Sequence, residues 1–192
     1  KIKIVNNEND YYYSLVIDGN AVKLDVLYHP AADVSWKAEN SGEWNTADNW
    51  EGGAPYPNDT AIFGNSAAVK DVVVSSVERV AKSLFCGESS IYSLSGEGSL
   101  SGDLELSGGT LKLLSPSLIA SGGQLKITGG TFEGNAESLN VARSKTTIAS
   151  TYPTVFRATE DMEISGAFEM TSGGLLKLET AKMTLNIPAG KH

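Results

Sequence analysis

Two histidines, one cysteine and 23 carboxylic acids are the side chains of this 192-residue chain best suited to moving a proton or attacking a carbonyl. His29 stands in LYHPAAD, just ahead of Pro30 in what reads as a turn, and His192 is the final residue. A Ser-His-Asp triad would have to be built on His29 alone. The sequence has no Gly-x-Ser-x-Gly elbow, no His-x-x-x-His zinc pair and no phosphate loop. Cys86, in SLFCGESS after an alternating run, reads as a bland buried thiol rather than a nucleophile, and it has no partner for an intramolecular disulfide. The acids are the stronger candidates, because carboxylates can meet across stacked strands. Polysaccharide-cleaving enzymes enlist Asp and Glu in this way, with Lys or Arg beside them on one outer face. Glu105, Lys112, Lys126, Glu133, Glu169 and Lys177 would serve such an activity. A solvated face of alternating sign explains the same residues without chemistry. The expectation is a chain without catalytic residues and without a cofactor.

Binding chemistry concentrates in SWKAENSGEWNTADNWEGGAPYPNDTAIF, residues 35 to 63, which holds all three tryptophans, Trp36, Trp44 and Trp50. Exposed, these indoles would stack on sugar rings while neighbouring Asn and Asp bond hydroxyls. Buried, they would brace a loop too polar to hold its shape, each ring contributing about 1.5–3 kcal/mol. The turn at NSGE would place Trp36 and Trp44 on facing strands of a hairpin, and Thr46 to Trp50 would form one capped helical turn that folds Trp50 back onto them. The brace is the expected arrangement. Near the N-terminus, Asn6-Asn7-Glu8-Asn9-Asp10 offers oxygens of the kind calcium prefers, with Asn6, Glu8 and Asp10 as ligands, but without the spacing of an EF-hand or a nonapeptide roll. A solvated turn is the plainer reading. In Tyr11-Tyr12-Tyr13 the alternation of a strand turns Tyr12 away from its neighbours, so at least one ring is a candidate contact surface.

These residues need elements to carry them, and composition sets the class. Apolar residues at 41% and charged ones at 20% are ordinary globular values, so a packed core is expected. The net charge is −8, and the 15 Lys and Arg are scattered singly, which argues against nucleic acid and anionic lipid as partners. No run of 18 apolar residues exists to span a membrane as a helix. The chain opens on Lys1 without Met, as a processed or excised piece would, so a missing signal peptide says nothing about export.

Period-two alternation dominates, in short runs separated by Gly and Ser. It predicts strands at residues 1–5, 11–19, 21–28, 69–74, 102–108, 109–114, 123–129, 162–170, 174–179 and 183–187. VSSVERVAKSLF, residues 74 to 85, fits a helical or a strand period, and strands are expected there. SGGTLKLL (107 to 114), SGGQLKIT (121 to 128) and SGGLLKLE (172 to 179) share one pattern, and SGDLELSGGTLKLL returns as SGAFEMTSGGLLKLE. A strand-turn-strand unit cannot bury its apolar edge alone, so repeated copies stack into a solenoid. Leu111 and Leu113, Leu125 and Ile127, and Leu176 and Leu178 then form inward ladders, with Lys112, Lys126 and Lys177 outward. The expected fold is all-β, a single-stranded parallel β-helix with an N-terminal β-hairpin region, and a β-sandwich is the alternative. Residues 1–33 form N-terminal strands and hairpins, covering one end or closing a preceding repeat, 34–66 the Trp-rich loop and hairpin block and 67–192 the coils. Unpaired strand edges at the ends make end-to-end self-association an expected partner mode.

Over residues 34 to 150 the order of motifs resembles the repeat units of bacterial autotransporter passenger domains and related large cell-surface proteins. The motifs are Trp36, Trp44, Trp50, Gly52-Gly53 with Pro55, Asp59 to Phe63, Val80 to Phe85 and Tyr92 to Leu100. The Trp block with DTAIF carries the likeness, since SGG and alternating Leu occur in any β-solenoid. The resemblance implies a right-handed coil, an extracellular or cell-surface location and a structural or adhesive role, with host or matrix glycan or protein as partner. It also leaves open an enzyme carried on the stalk or a lectin-like module. The chain departs from the family's pattern in lacking its C-terminal outer-membrane barrel and in closing on Lys-His.

Overall fold

The computed structural model of the chain describes residues 10–37, 39, 41–66, 68–115, 123–134, 138–149, 153–158, 161–171, 175–180 and 182–186. An antiparallel hairpin, β1 (Tyr11–Asp18) and β2 (Ala21–Tyr28), comes first. Then follow β3 (Asp33–Ser35), β4 (Gly42–Glu43), a 3-10 turn at Ala47–Asn49, β5 (Thr60–Phe63), β6 (Lys70–Val73), β7 (Val77–Phe85), β8 (Ile91–Ser95) and β9 (Ser99–Leu106). The chain continues through β10 (Thr110–Leu113), β11 (Gln124–Ile127), β12 (Thr131–Gly134), β13 (Ser138–Ile148), β14 (Pro153–Ala158), β15 (Asp161–Met170), β16 (Leu175–Glu179) and β17 (Met183–Asn186). From β3 onward the odd strands form an eight-stranded sheet and the even strands a seven-stranded one. Every strand pairs in parallel with the next but one. A chain that lays one strand in each sheet and then repeats is winding around an axis, so the body is a β-solenoid and not a sandwich. Residues 74 to 85 supply the strand β7, one bulged strand and not a helix or a strand pair.

The core is a set of ladders along the axis. In the eight-stranded sheet Phe63, Phe85, Leu106, Ile127 and Ile148 stand in register, each buried, one every 21 or 22 residues. Phe63 and Phe85 stack at 4.4 Å between ring centroids. In the seven-stranded sheet Tyr92, Leu111, Phe132 and Phe156 are aligned in the same way. Apolar side chains from both sheets meet in one cluster between them.

Two expectations about these ladders are corrected. The shared Ser-Gly-Gly pattern does not build one ladder, because Leu111 lies in the seven-stranded sheet and Leu125, between Leu104 and Thr146, lies in the eight-stranded one. Leu176 and Leu178 return to the seven-stranded sheet beside Thr154 and Phe156, but β16 is its outermost strand and Leu178 is 50% exposed. Direction is right in each case, and the exposure of Leu178 goes with β16 being the outermost strand of its sheet among the described residues.

The longer repeated block has a structural cause. Between Arg79 and Lys82 strand β7 carries one residue more than β9, and the extra length faces Gly102. The same mismatch recurs between Ala142 and Lys145, opposite Gly166. Gly102 and Gly166 take φ of 101° and 102°, and a Cβ on Gly102 would lie 1.9 Å from the Val80 carbonyl oxygen. Only glycine accepts both the left-handed backbone and that approach, so Ser-Gly in SGDLEL and SGAFEM marks a bulged bend.

Candidate functional site

The tryptophan block is the first turn of the solenoid, with β3 and β4 in different sheets, so the expected Trp36–Trp44 hairpin does not form. Trp36 N–H donates to the Ile62 carbonyl and Trp44 N–H to the Val73 carbonyl, both at 2.8 Å. Those bonds commit the two residues to the next coil on different faces, and none remains for a hairpin between them. Trp36 instead bridges Trp50 in antiparallel fashion, through Lys37 N–H to the Asn49 carbonyl and Glu51 N–H to the Ser35 carbonyl. The Ala47–Asn49 turn brings Trp50 back as expected, although Thr46 makes no side-chain cap bond.

The three indoles are 3%, 2% and 1% exposed for Trp36, Trp44 and Trp50. Trp50 is edge-on to Trp36 at 5.0 Å and to Trp44 at 4.9 Å, all three contact Phe63, and Trp50 Nε1–H donates to the Trp44 carbonyl at 2.5 Å. No indole face is open to a saccharide, so the arrangement is the brace. It is also a cap. Asn49 to Glu51 occupies the outer edge of β3, and Asn49 Nδ2–H bonds the Glu43 carbonyl at the end of β4. Among the described residues this end is met by the indoles and their loop rather than by the hairpin of residues 11–28. The hairpin stands off the body, with most of β1 and all of β2 exposed. Residues 1–9 lie outside the described residues.

The hairpin is fastened by a polar cluster that the sequence reading did not assemble. Asp59 is fully buried, and its carboxyl oxygens accept from Tyr56 N–H at 2.7 Å, Ala32 N–H at 2.9 Å and His29 Nε2 at 3.0 Å. Burial of such a group is tolerable only with its lone pairs met. Asn58 Nδ2–H donates to the His29 carbonyl at 2.9 Å and to Asp10 Oδ1 at 3.4 Å, and the Tyr12 hydroxyl bonds the Asn58 side chain. His29 packs on Tyr56 at 4.1 Å, and Tyr12 packs on Tyr56 at 5.0 Å. Burial pushes the Tyr12 hydroxyl pKa up. Tyr12 is thus half-buried and engaged, not a free contact ring. His29 and Asp59 form a dyad, yet the Tyr12 hydroxyl beside them bonds Asn58 rather than the imidazole. The available signal was PNDT beside DTAIF, but its partners sit about 30 residues upstream.

The calcium candidates do not come together. Asn6 and Glu8 lie outside the described residues, Asp10 serves Asn58, and no group of three metal-ligating side chains occurs among the described residues. Cys86 is half-buried rather than buried, with Sγ 3.7 Å from the Phe63 carbonyl. Tyr92, by contrast, is buried under the coil, its hydroxyl donates to the Gly64 carbonyl at 3.0 Å, and desolvation pushes its pKa to about 12.

The suspected catalytic residues do not share one face: Glu105, Lys126 and Glu169 lie on the eight-stranded sheet and Lys112, Glu133 and Lys177 on the seven-stranded one, and each set is tied into charge ladders of its own sheet. Glu105 lies between Lys82 at 3.3 Å and Lys126 at 3.1 Å. Glu133 lies between Lys112 and Arg157, both at 3.2 Å, and Arg157 continues at 2.8 Å to Glu179, which also holds Lys177 at 2.6 Å. Lys145 pairs with Glu169. Burial pushes the Glu105 pKa up, but the hydrogen bonds from Lys126 and Lys82 outweigh it and hold the group below the ordinary carboxylate range. Bonds from Lys177 and Arg157 likewise lower Glu179, and Arg157 is raised by Glu179 and Glu133. A carboxylate held between two cations is a poor proton donor.

Two open depressions accompany these features. One of about 460 Å³ runs along a turn edge past Glu88, Ser90, Gly108, Gly109 and Thr131, and one of about 450 Å³ lies beside Gly53, Pro55 and Tyr56. No helix among the described residues is long and apolar enough to cross a membrane. Comparison with protein-family models, with curated proteins and with solved structures finds no match. The fold defines the class, a parallel β-solenoid with a braced first turn.

Proposed function

We propose that the chain is a non-catalytic segment of a secreted or cell-surface protein whose role is structural and adhesive. Its partners on this reading are matrix or host glycan or protein, or further copies of itself. The observation that carries the reading is the closure of the outward charges into ion pairs between coils. Glu105 and Glu133, two of the suspected carboxylates, project from different sheets and each bond two cations. Outer charges spent on coil-to-coil pairing on both sheets suit a stalk, and the likeness of the Trp-DTAIF block to passenger repeats supports the same role. The test presents the folded chain to arrays of glycans and matrix proteins while polysaccharides are assayed for reducing-end release. Binding without release, and without change in tryptophan fluorescence on adding the bound saccharide, is expected. Release that Glu105→Gln or Glu133→Gln abolishes would overturn it in favour of a polysaccharide-active enzyme, and saccharide-dependent quenching would favour a lectin.

A further inference from the structure

The hairpin carries a feature that the adhesive reading does not use. Facing residues in an antiparallel pair share a side, so Tyr11 with Tyr28, Tyr13 with Val26, Leu15 with Leu24 and Ile17 with Val22 form one face. All eight are apolar or aromatic. The other face carries Tyr12 with Leu27, Ser14 with Asp25, Val16 with Lys23 and Asp18 with Ala21, so every charge of the ribbon lies there. The polarity is that of a sheet with one side in a core. Yet the apolar side faces solvent, with Ile17 81%, Val22 64%, Leu15 59%, Tyr28 58% and Val26 54% exposed. Counting whole residues, backbone and tyrosine hydroxyls included, it exposes about 800 Å², most of it apolar and large for one surface of an ordinary monomer. A two-stranded ribbon alone in water is marginal.

The chain's own solenoid cannot cover this face. Tyr12 and His29 project from the opposite side, and they are the residues bonded to Asn58 and Asp59, so the fastening that holds the ribbon turns its apolar side away from the body. We infer that the uncovered face is a self-association surface, on which the hairpins of two copies pack face to face as a four-stranded sandwich. Three observations select a second copy. The face has no charge with which to choose a charged partner. An identical face matches it in length and apolar character, and a two-fold axis makes the contact self-complementary. Two such faces bury at most about 1,600 Å² in total, within reach of the roughly 1,200–2,000 Å² of standard specific interfaces. The contact is lateral and leaves the braced end free. Each copy carries −8, so repulsion opposes the pairing and salt strengthens it.

The test is sedimentation or light scattering of the full chain across concentration and salt. A dimer is expected that tightens as sodium chloride rises. Ile17→Lys with Leu24→Lys weakens it by roughly 100-fold or more, because four ammonium groups, two from each copy, would be buried unpaired. Ile17→Thr with Val22→Thr keeps strong strand formers, so the ribbon survives and the dimer is still lost. Ser14→Lys, on the opposite face, leaves the dimer intact. A chain monomeric at all concentrations, or a dimer indifferent to both double variants, would overturn the inference. Neither result bears on glycan or matrix binding, so loss of the dimer would remove only the self-association arm of the proposed function and leave the adhesive reading to its own test.

Discussion

Replacing Trp50 by alanine tests whether the indoles are a brace. The ring is 1% exposed, lies edge-on against Trp36, Trp44 and Phe63, and donates from Nε1 to the Trp44 carbonyl. Removing a buried Trp side chain costs about 3–5 kcal/mol. Leaving the Trp44 carbonyl without its donor adds about 1 kcal/mol. A total of about 4–6 kcal/mol is a large part of the stability of a domain of this size. A solenoid is nearly one-dimensional, so the damage falls first on the turn the brace closes. Backbone amides of β3 and β5 should lose hydrogen-exchange protection before those of β11. Trp50→Phe keeps a ring but not the donor, and should cost about 1–2 kcal/mol. Urea unfolding followed by circular dichroism reads the totals, and exchange reads their location. A Trp50→Ala loss below about 1 kcal/mol, with β3 still protected, would be the signature of a surface indole and would refute the brace.

Two further outcomes follow from the coil contacts. Gly102→Ala should cost more than about 2 kcal/mol, because its Cβ would meet the Val80 carbonyl, whereas Gly52→Ala, with positive φ but open space, should cost about 1 kcal/mol in the same urea titration. Equal losses would mean that the bulge does not depend on close approach. For Glu105 the folded pKa lies below the unfolded one, so its ion pairing stabilises the protein above about pH 4.3 and is lost as pH falls through the folded value. Solvent screening limits the gain to about 0.5–1 kcal/mol. Glu105→Gln should therefore flatten the acid limb of stability against pH between about 5 and 3, and an unchanged limb would show that the ladder contributes nothing.

Direction along a strand was legible in the sequence, and position in space was not. Alternation places Leu111, Leu113, Leu125 and Ile127 inward correctly, because burial on one face imposes a period of two wherever the strand lies. The same alternation cannot say which face of a coil a strand occupies, and so SGGTLKLL and SGGQLKIT looked like rungs of one ladder while belonging to different sheets. β8 was hidden because Ser93, with 4% exposure, is buried between Tyr92 and Leu94 and breaks the pattern. The Asp59 cluster was hidden for a different reason, since nothing local shows that His29 and Ala32 will supply the donors.

The Trp block shows what such a boundary costs and does. A parallel coil must leave one strand edge open at its start, and an open edge is a template for further strands. Here Asn49 to Glu51 fills that edge and the indoles hold the filling segment in place. The described chain preceding β3 does not continue the winding past this bridge at Ser35 and Lys37; it forms the hairpin, a separate unit on its Asn58–Asp59 fastening. The polar character of residues 37 to 59 follows from the same constraint, since a segment that turns back over an edge needs Gly42, Gly52 and Gly53 at φ of 147°, 89° and 108° and side chains that bond stranded carbonyls. Tryptophan in that company is no longer anomalous. It supplies the buried area that the loop's other residues cannot.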